Sequence, residues 1–182
     1  MSILLGLDPG LQTTGYGVID TSGGAITFRE AGVIRSEAGE DDLARRVRSL
    51  YEGVNEVLEE WKPSAVAVEQ LYAHYEHPRT AILMGHARGV LILACAEHDI
   101  DVISYAATKV KKLITGNGRA SKEQMQNAVT RELGLSKIPE PHDAADALAL
   151  ALCHAYAAGG VHGKANARYT GVNLKALHGE SE

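Results

Sequence analysis

The stretch ILLGLDPGLQTTGYGVI, residues 3–19, reads as strand, carboxylate, turn, strand. Ile3–Leu7 is an unbroken apolar run of the length of a buried strand; it ends in Asp8, and Pro9 and Gly10 turn the chain at once. Gly15–Ile19 reads as a second strand. A run around Ala25–Ile34 reads as a third, beyond the turn signal Ser22-Gly23-Gly24, and the three form an antiparallel meander. From Asp41 to Trp61 the spacing becomes helical, with Leu43, Val47, Leu50, Val54, Val57 and Leu58 on one side, and Pro63 ends the helix. Ala65–Val68 is again short, apolar and β-branched, and again an acid, Glu69, closes it.

A polar, aromatic loop, LYAHYEHP, leads into a long helix from Arg79 to Glu97, and DIDVISY is the next strand. AATKVKKLITG reads as a short basic helix stopped by Gly116. Ser121 and Gln124 stand at capping-box spacing before another helix. Pro139 and Pro141 mark a break, and HDAADALALALCHAYAA is the last helix. Strands first, then helix and strand in alternation, predict an α/β domain on a mixed sheet, its second half parallel and covered by helices on both faces.

A chain of 182 residues fits one domain, placed at residues 1–157. Residues 158–182, rich in Gly and polar side chains, read as a flexible tail. With 45% hydrophobic and 23% charged residues the chain can build its core without disulfides or a structural metal. Cys95 and Cys153 sit in separate apolar runs and read as buried, reduced thiols. No charged-then-apolar leader opens the chain and no apolar stretch is read as long enough to span a membrane, so a soluble cytoplasmic protein is expected.

A net charge of −5 argues against a non-specific nucleic-acid coat. Yet Ser104–Lys122 carries Lys109, Lys111, Lys112, Arg119 and Lys122 and no acid. Such a patch can contact phosphate even on an acidic protein, because fields are short-ranged in salt. Taken alone, it fits a solvated helix face equally well.

The carboxylates carry more. In open α/β sheets polar chemistry gathers at the carboxyl ends of parallel strands, where Asp8 and Glu69 fall. Asp143 and Asp146 share a face at the start of the last helix, and His142 shares it too. If these segments meet, four acids and an imidazole converge. Carboxylates crowded together repel unless a cation lies between them, and hard oxygen donors suit Mg²⁺ or Mn²⁺. Two such ions about 3.5–4 Å apart could flank a scissile phosphate. Each residue also has an ordinary reading: Asp8 in a turn, Glu69 as a solvated charge, Asp143 and Asp146 as helix N-terminal acids. The joint pattern, more than any one member, favours a site.

The segments GLDPGLQTTGYGVI, AVEQLYA, GHARGV, YAATKVKKLITGNGRASKEQM and DAADALALALCH, in that order, resemble the successive motifs of the RuvC family of bacterial Holliday-junction resolvases. The resemblance spans residues 2–156. It implies a ribonuclease-H-like fold, a homodimer, and Mg²⁺- or Mn²⁺-dependent hydrolysis of two opposed DNA strands at a four-way junction, with two ions in each site. It implies Asp8, Glu69, Asp143 and Asp146 as catalytic and metal-binding acids. Because some members use a histidine there, His142 stands as an alternative or supporting ligand. Tyr72 matches an aromatic position associated with stacking on junction bases; members often carry Phe, and Tyr keeps the flat ring. Lys111 and Lys122 match basic positions near the catalytic acids, Lys122 being read as catalytic as well as DNA-binding. Lys109, Lys112 and Arg119 are candidate phosphate contacts. The family further implies RuvA and RuvB, the branch-migration proteins, as partners.

Other classes remain to be separated from this one. An actin-like ATP-binding domain also places an Asp at its first strand, but needs two lobes and a second glycine-rich phosphate motif. A ribonuclease-H-like nuclease for structured RNA would carry similar acids, and a non-catalytic junction scaffold would have no need of all four.

Overall fold

In a computed structural model of the chain, residues 2–36, 42–71 and 78–158 are described. β1 (Ile3–Asp8) pairs antiparallel with β2 (Thr13–Asp20), and β2 pairs antiparallel with β3 (Thr27–Arg35). On the other edge of β1, β4 (Ala65–Glu69) runs parallel to it and β5 (Asp101–Tyr105) runs parallel to β4. The order across the sheet is β3-β2-β1-β4-β5. α1 (Leu43–Trp61) carries the chain from β3 to β4, and α2 (Pro78–Glu97) from β4 to β5. Parallel neighbours need such crossovers, and the alternation of the sequence supplies them. α3 (Ala107–Thr115), α4 (Lys122–Glu132) and α5 (His142–Ala157) complete the fold. The mixed five-stranded sheet is the one expected.

Successive side chains on a strand point to opposite faces, and this sorts the core in two. Leu4, Ile19, Ala65, Ala67 and Tyr105 pack on one face with α3, α4 and α5. Leu5, Leu7, Val18, Val66 and Val68 pack on the other with α1 and α2. Cys95 and Cys153 are buried, one in each cluster, and both are free thiols.

Local chemistry sets the ends of the elements. Asp42 caps α1 by accepting a hydrogen bond from the backbone N–H of Arg45, so the helix begins at Leu43, two residues after the expected start at Asp41, which lies outside the described residues. Lys62 closes α1 in the left-handed region, at φ 44°, just before Pro63. The capping box of Ser121 and Gln124 is formed on both sides.

One expectation is amended. Residues 79–97 form a helix long and apolar enough, by length and composition, to cross a membrane. Arg79, His86, Arg88 and Glu97 fall within that run, so the sequence shows no unbroken apolar stretch there. Here the helix lies against the sheet through Ala87, Leu91, Ala94 and Cys95.

The seating of α5 depends on strand glycines. A Cβ built on Gly6 would come within 1.9 Å of the Ala147 carbonyl oxygen, and one on Gly15 within 2.1 Å of the Asp143 carbonyl oxygen. A Cβ on Gly17 would likewise come within 2.7 Å of the Leu148 backbone nitrogen. All three belong to the strand faces that look toward α5, so the helix backbone rests directly on β1 and β2.

Candidate active site

Strand parity decides where the acids point. Leu4 and Ala147-contacting Gly6 face α5, so Asp8, two residues beyond Gly6, faces it too. Ala65 and Ala67 face α5, and Glu69 follows them. Asp8 is the last residue of β1, paired with Gly15, and Glu69 the last of β4. Asp143 and Asp146 lie on the opening turns of α5, directly over that end of the sheet. Pro141 occupies the N-cap of α5 and no side chain caps that helix, so neither acid is used as its cap.

The four carboxylates act on one another. Burial, followed by repulsion from Asp146, Glu69 and Asp143, pushes the Asp8 carboxyl up from 3.8 to about 7, against the pull of Lys122. Burial first, then Asp146, also raises Glu69, while Lys111 lowers it. Asp8 is therefore a carboxyl that no longer ionises freely. Two lysines partly relieve the deficit: Lys122 places its ammonium 3.3 Å from Asp146, and half-buried Lys111 lies on the Glu69 side.

The remaining candidates separate. Lys109 sits over the Tyr105 ring, 4.9 Å from its centroid, and Tyr105 hydrogen-bonds His154 Nδ1 at 2.7 Å. Lys112 and Arg119 are exposed on α3 and the turn after it. His142 has its Nδ1 2.6 Å from the amide nitrogen of Gln126, a buried residue of α4. Tyr72 and residues 159–182 lie outside the described residues. A cavity of about 260 Å³ opens between the acids and the lysines, with Glu69, Asp146, Lys111 and Lys122 on its polar side and Val110 and Met125 on its apolar side. A larger hollow, about 550 Å³, lies near Lys62, Pro63 and His98, and none of the candidate residues among the described ones lines it.

A divalent cation fits this donor set by chemistry. All four acids offer hard oxygens, and Asp8 carries a charge that burial and repulsion make expensive until a cation offsets it. The fit is not that of a finished cage. Among the described residues, no three His, Cys, Asp or Glu side chains are drawn close enough to hold a metal ion as they stand.

Sequence reasoning found the acids and missed what holds them. Gly6 and Gly15 let α5 approach; their signal was glycine at alternate positions within otherwise good strands. Arg88, inside the GHARGV motif, donates from Nε to the Glu69 carbonyl oxygen at 3.3 Å and from its terminal nitrogen to Ser104 Oγ at 2.6 Å.

A sheet of this order and direction, with acids at the ends of adjacent β1 and β4 and on the helix that covers them, is a ribonuclease-H-like fold. The family model described as crossover junction endodeoxyribonuclease RuvC matches residues 4–154. The chain is 52% identical over 157 residues to the crossover junction endodeoxyribonuclease RuvC of Rhodopirellula baltica, covering 86% of this chain and 88% of that one. It is 44% identical over 162 residues to the protein of that name from an Azoarcus species, covering 89% and 86%. A solved structure of Thermus thermophilus RuvC in complex with Holliday junction substrate matches with a TM-score of 0.79 at 33% identity, over 87% of this chain and 95% of that one. The chain belongs to the crossover junction endodeoxyribonuclease RuvC family.

Proposed function

We propose that this chain resolves Holliday junctions: two copies bind one four-way junction, and each hydrolyses a phosphodiester bond in one of two opposed strands. The observation that carries this reading is the gathering of Asp8, Glu69, Asp143 and Asp146 from three separate segments at one end of the sheet, with Lys111 and Lys122 beside them. In it the four acids are catalytic and hold Mg²⁺ or Mn²⁺, two ions per site. Bound there, the ions would supply an activated water and neutralise charge at the leaving 3′ oxygen.

The chain's own residues do the rest. Lys122 and Lys111 donate to non-bridging phosphate oxygens, where negative charge builds in the transition state. Lys109, Lys112 and Arg119 extend the phosphate track, so affinity falls as salt rises. Tyr72 stacks on a junction base. His142, with Nδ1 engaged by Gln126, keeps only Nε2 for a ligand or a phosphate. Lys122→Met should lower the cleavage rate about 100-fold, as removal of a charged transition-state donor does. The melting temperature should barely move, because an exposed pair contributes about 0–1 kcal/mol to stability. Single-turnover cleavage and a thermal melt of the same preparation check both.

A two-fold dimer matches the approximate two-fold symmetry of a four-way junction. The outward stripe of α2 supports such a contact. Ile82 is 62% exposed and Leu93 53%. Between them Gly85 and Gly89 have open space where a Cβ would stand, room for a second helix to approach closely. Ile82→Glu should shift the protein toward monomer in sedimentation and remove paired nicking while the fold stays intact. The same family reading extends to RuvA and RuvB as partners and to action in the cytoplasm.

The test uses a synthetic four-way junction, a matched linear duplex and an RNA–DNA hybrid, each with Mg²⁺ or Mn²⁺, beside an Asp146→Asn variant. Paired nicks in the junction alone, lost in the variant while junction binding persists, are expected. Comparable cleavage of all three substrates would make this a general nuclease, and binding without nicking would make it a scaffold.

A further inference from the structure

Glu69 is held from behind. Its side chain leaves β4 on the α5 face, but its carbonyl oxygen receives Arg88 Nε from α2, which packs on the opposite face. The same guanidinium donates to the Ser104 hydroxyl on β5, and Ser104 shares the α2 face with Val102, two residues before it. One rigid planar group thus ties the ends of β4 and β5 together. The tie falls where the ladder stops: beyond Glu69, the Gln70 N–H still bonds the Tyr105 carbonyl oxygen, and the regular pairing ends with Glu69 and Tyr105.

The placement is costly to make and so calls for a reason. Arg88 is half-buried, burial lowers its pKa, and no ion pair forms with it among the described residues. Its partners are neutral oxygens. Lys111, and not Arg88, is the cation felt by the Glu69 carboxylate. Arg88 therefore acts on the backbone of Glu69 and not on its charge.

We propose that Arg88, anchored by Ser104, is a positioning residue that fixes the carboxyl end of β4 and so sets where Glu69 presents its carboxylate to Asp8 and Asp146. The inference rests on reading Glu69 as a carboxylate of the proposed site. A strand end freed by even about 1 Å moves that carboxylate enough to lower a rate by about 100-fold.

The experiment compares wild type with Arg88→Met, Ser104→Ala and Ser104→Thr in the full-length protein. Two readouts are taken: single-turnover junction cleavage, and the Mn²⁺ concentration that gives half of the metal-induced melting shift without DNA. Arg88→Met should lower the cleavage rate by 10-fold or more and raise the half-saturating Mn²⁺ several-fold, with junction affinity and its salt dependence unchanged. Ser104→Ala should do the same more weakly, and Ser104→Thr, which keeps the hydroxyl, should restore wild-type values. The Ser104 pair keeps the test open if Arg88→Met does not fold. A lower melting temperature with both readouts unchanged would reduce Arg88 to a structural tie and overturn the proposal. A loss confined to junction affinity, with a shallower salt dependence, would make it a DNA contact and overturn it equally. Wild type that fails to cleave would instead count against the function proposed above.

Discussion

Asp8→Asn should abolish junction cleavage, by about 1,000-fold or more, and at the same time raise the melting temperature of the metal-free protein at pH 8. Both effects come from one fact. Burial and three neighbouring acids hold the Asp8 carboxyl near 7 in the folded chain, against 3.8 for an unperturbed aspartate. The folded state therefore holds this proton more tightly than the unfolded state. Its contribution to stability is fully present below about pH 4 and is lost as pH rises through about 7. Asparagine keeps the shape without the charge. Wild type and Asp8→Asn should melt together at pH 4 and separate progressively above it, the variant several degrees higher by pH 8, since each kcal/mol moves a chain of this size by about 2–4 °C. Activity goes the other way because the strained charge is the one that the proposed metal site needs. Melting curves at pH 4, 6 and 8 check the sign, and a gap that narrows as pH rises would show that Asp8 is not under repulsion.

Gly15→Ala is expected to have the next largest effect, although a methyl group is all it adds. That methyl would lie 2.1 Å from the Asp143 carbonyl oxygen and 2.5 Å from its carbon, backbone atoms that no side-chain rotation can move aside. The first turn of α5 must lift from β2, carrying Asp143 with it and tilting Asp146. A displacement near 1 Å at such a site costs about 100-fold in rate. The overpacking itself costs about 1–3 kcal/mol of stability. Gly23→Ala is the control: its Cβ meets nothing within 4 Å, and it should leave rate and melting temperature unchanged. A Gly15→Ala protein as active as wild type would show that α5 need not sit flush on the sheet.

Much of this arrangement was legible in the sequence. The buried runs Ile3–Leu7 and Ala65–Val68, each closed by an acid, located two strands to within a residue and put their carboxylates at the right end of the sheet. The capping box at Ser121 fixed the start of α4, and with it the position of Lys122. Sequence spacing could not divide the basic cluster. Only the packing of α3 turns Lys111 toward Glu69 and lays Lys109 on Tyr105. Nor could it find Arg88, whose partners are a backbone carbonyl 19 residues away and a hydroxyl 16 residues away. Contacts across sheet faces leave no periodic trace. The outward face of α2 was legible only in part: Gly85 and Gly89, four apart, suit a close approach of a second chain or of the sheet equally well, and the apolar residues run round the helix, so nothing in the spacing marked which side the sheet would cover.

The central claim is that four carboxylates from three segments act as one cation site, and a melting titration with Mn²⁺ at pH 8 tests it most directly. A ligand that binds only the folded chain raises its stability in proportion to the logarithm of its concentration above Kd. Wild type should gain several degrees with Mn²⁺, and a chain carrying both Asp8→Asn and Asp146→Asn should gain almost none. Equal gains in the two chains would place the cation elsewhere and contradict the site described here.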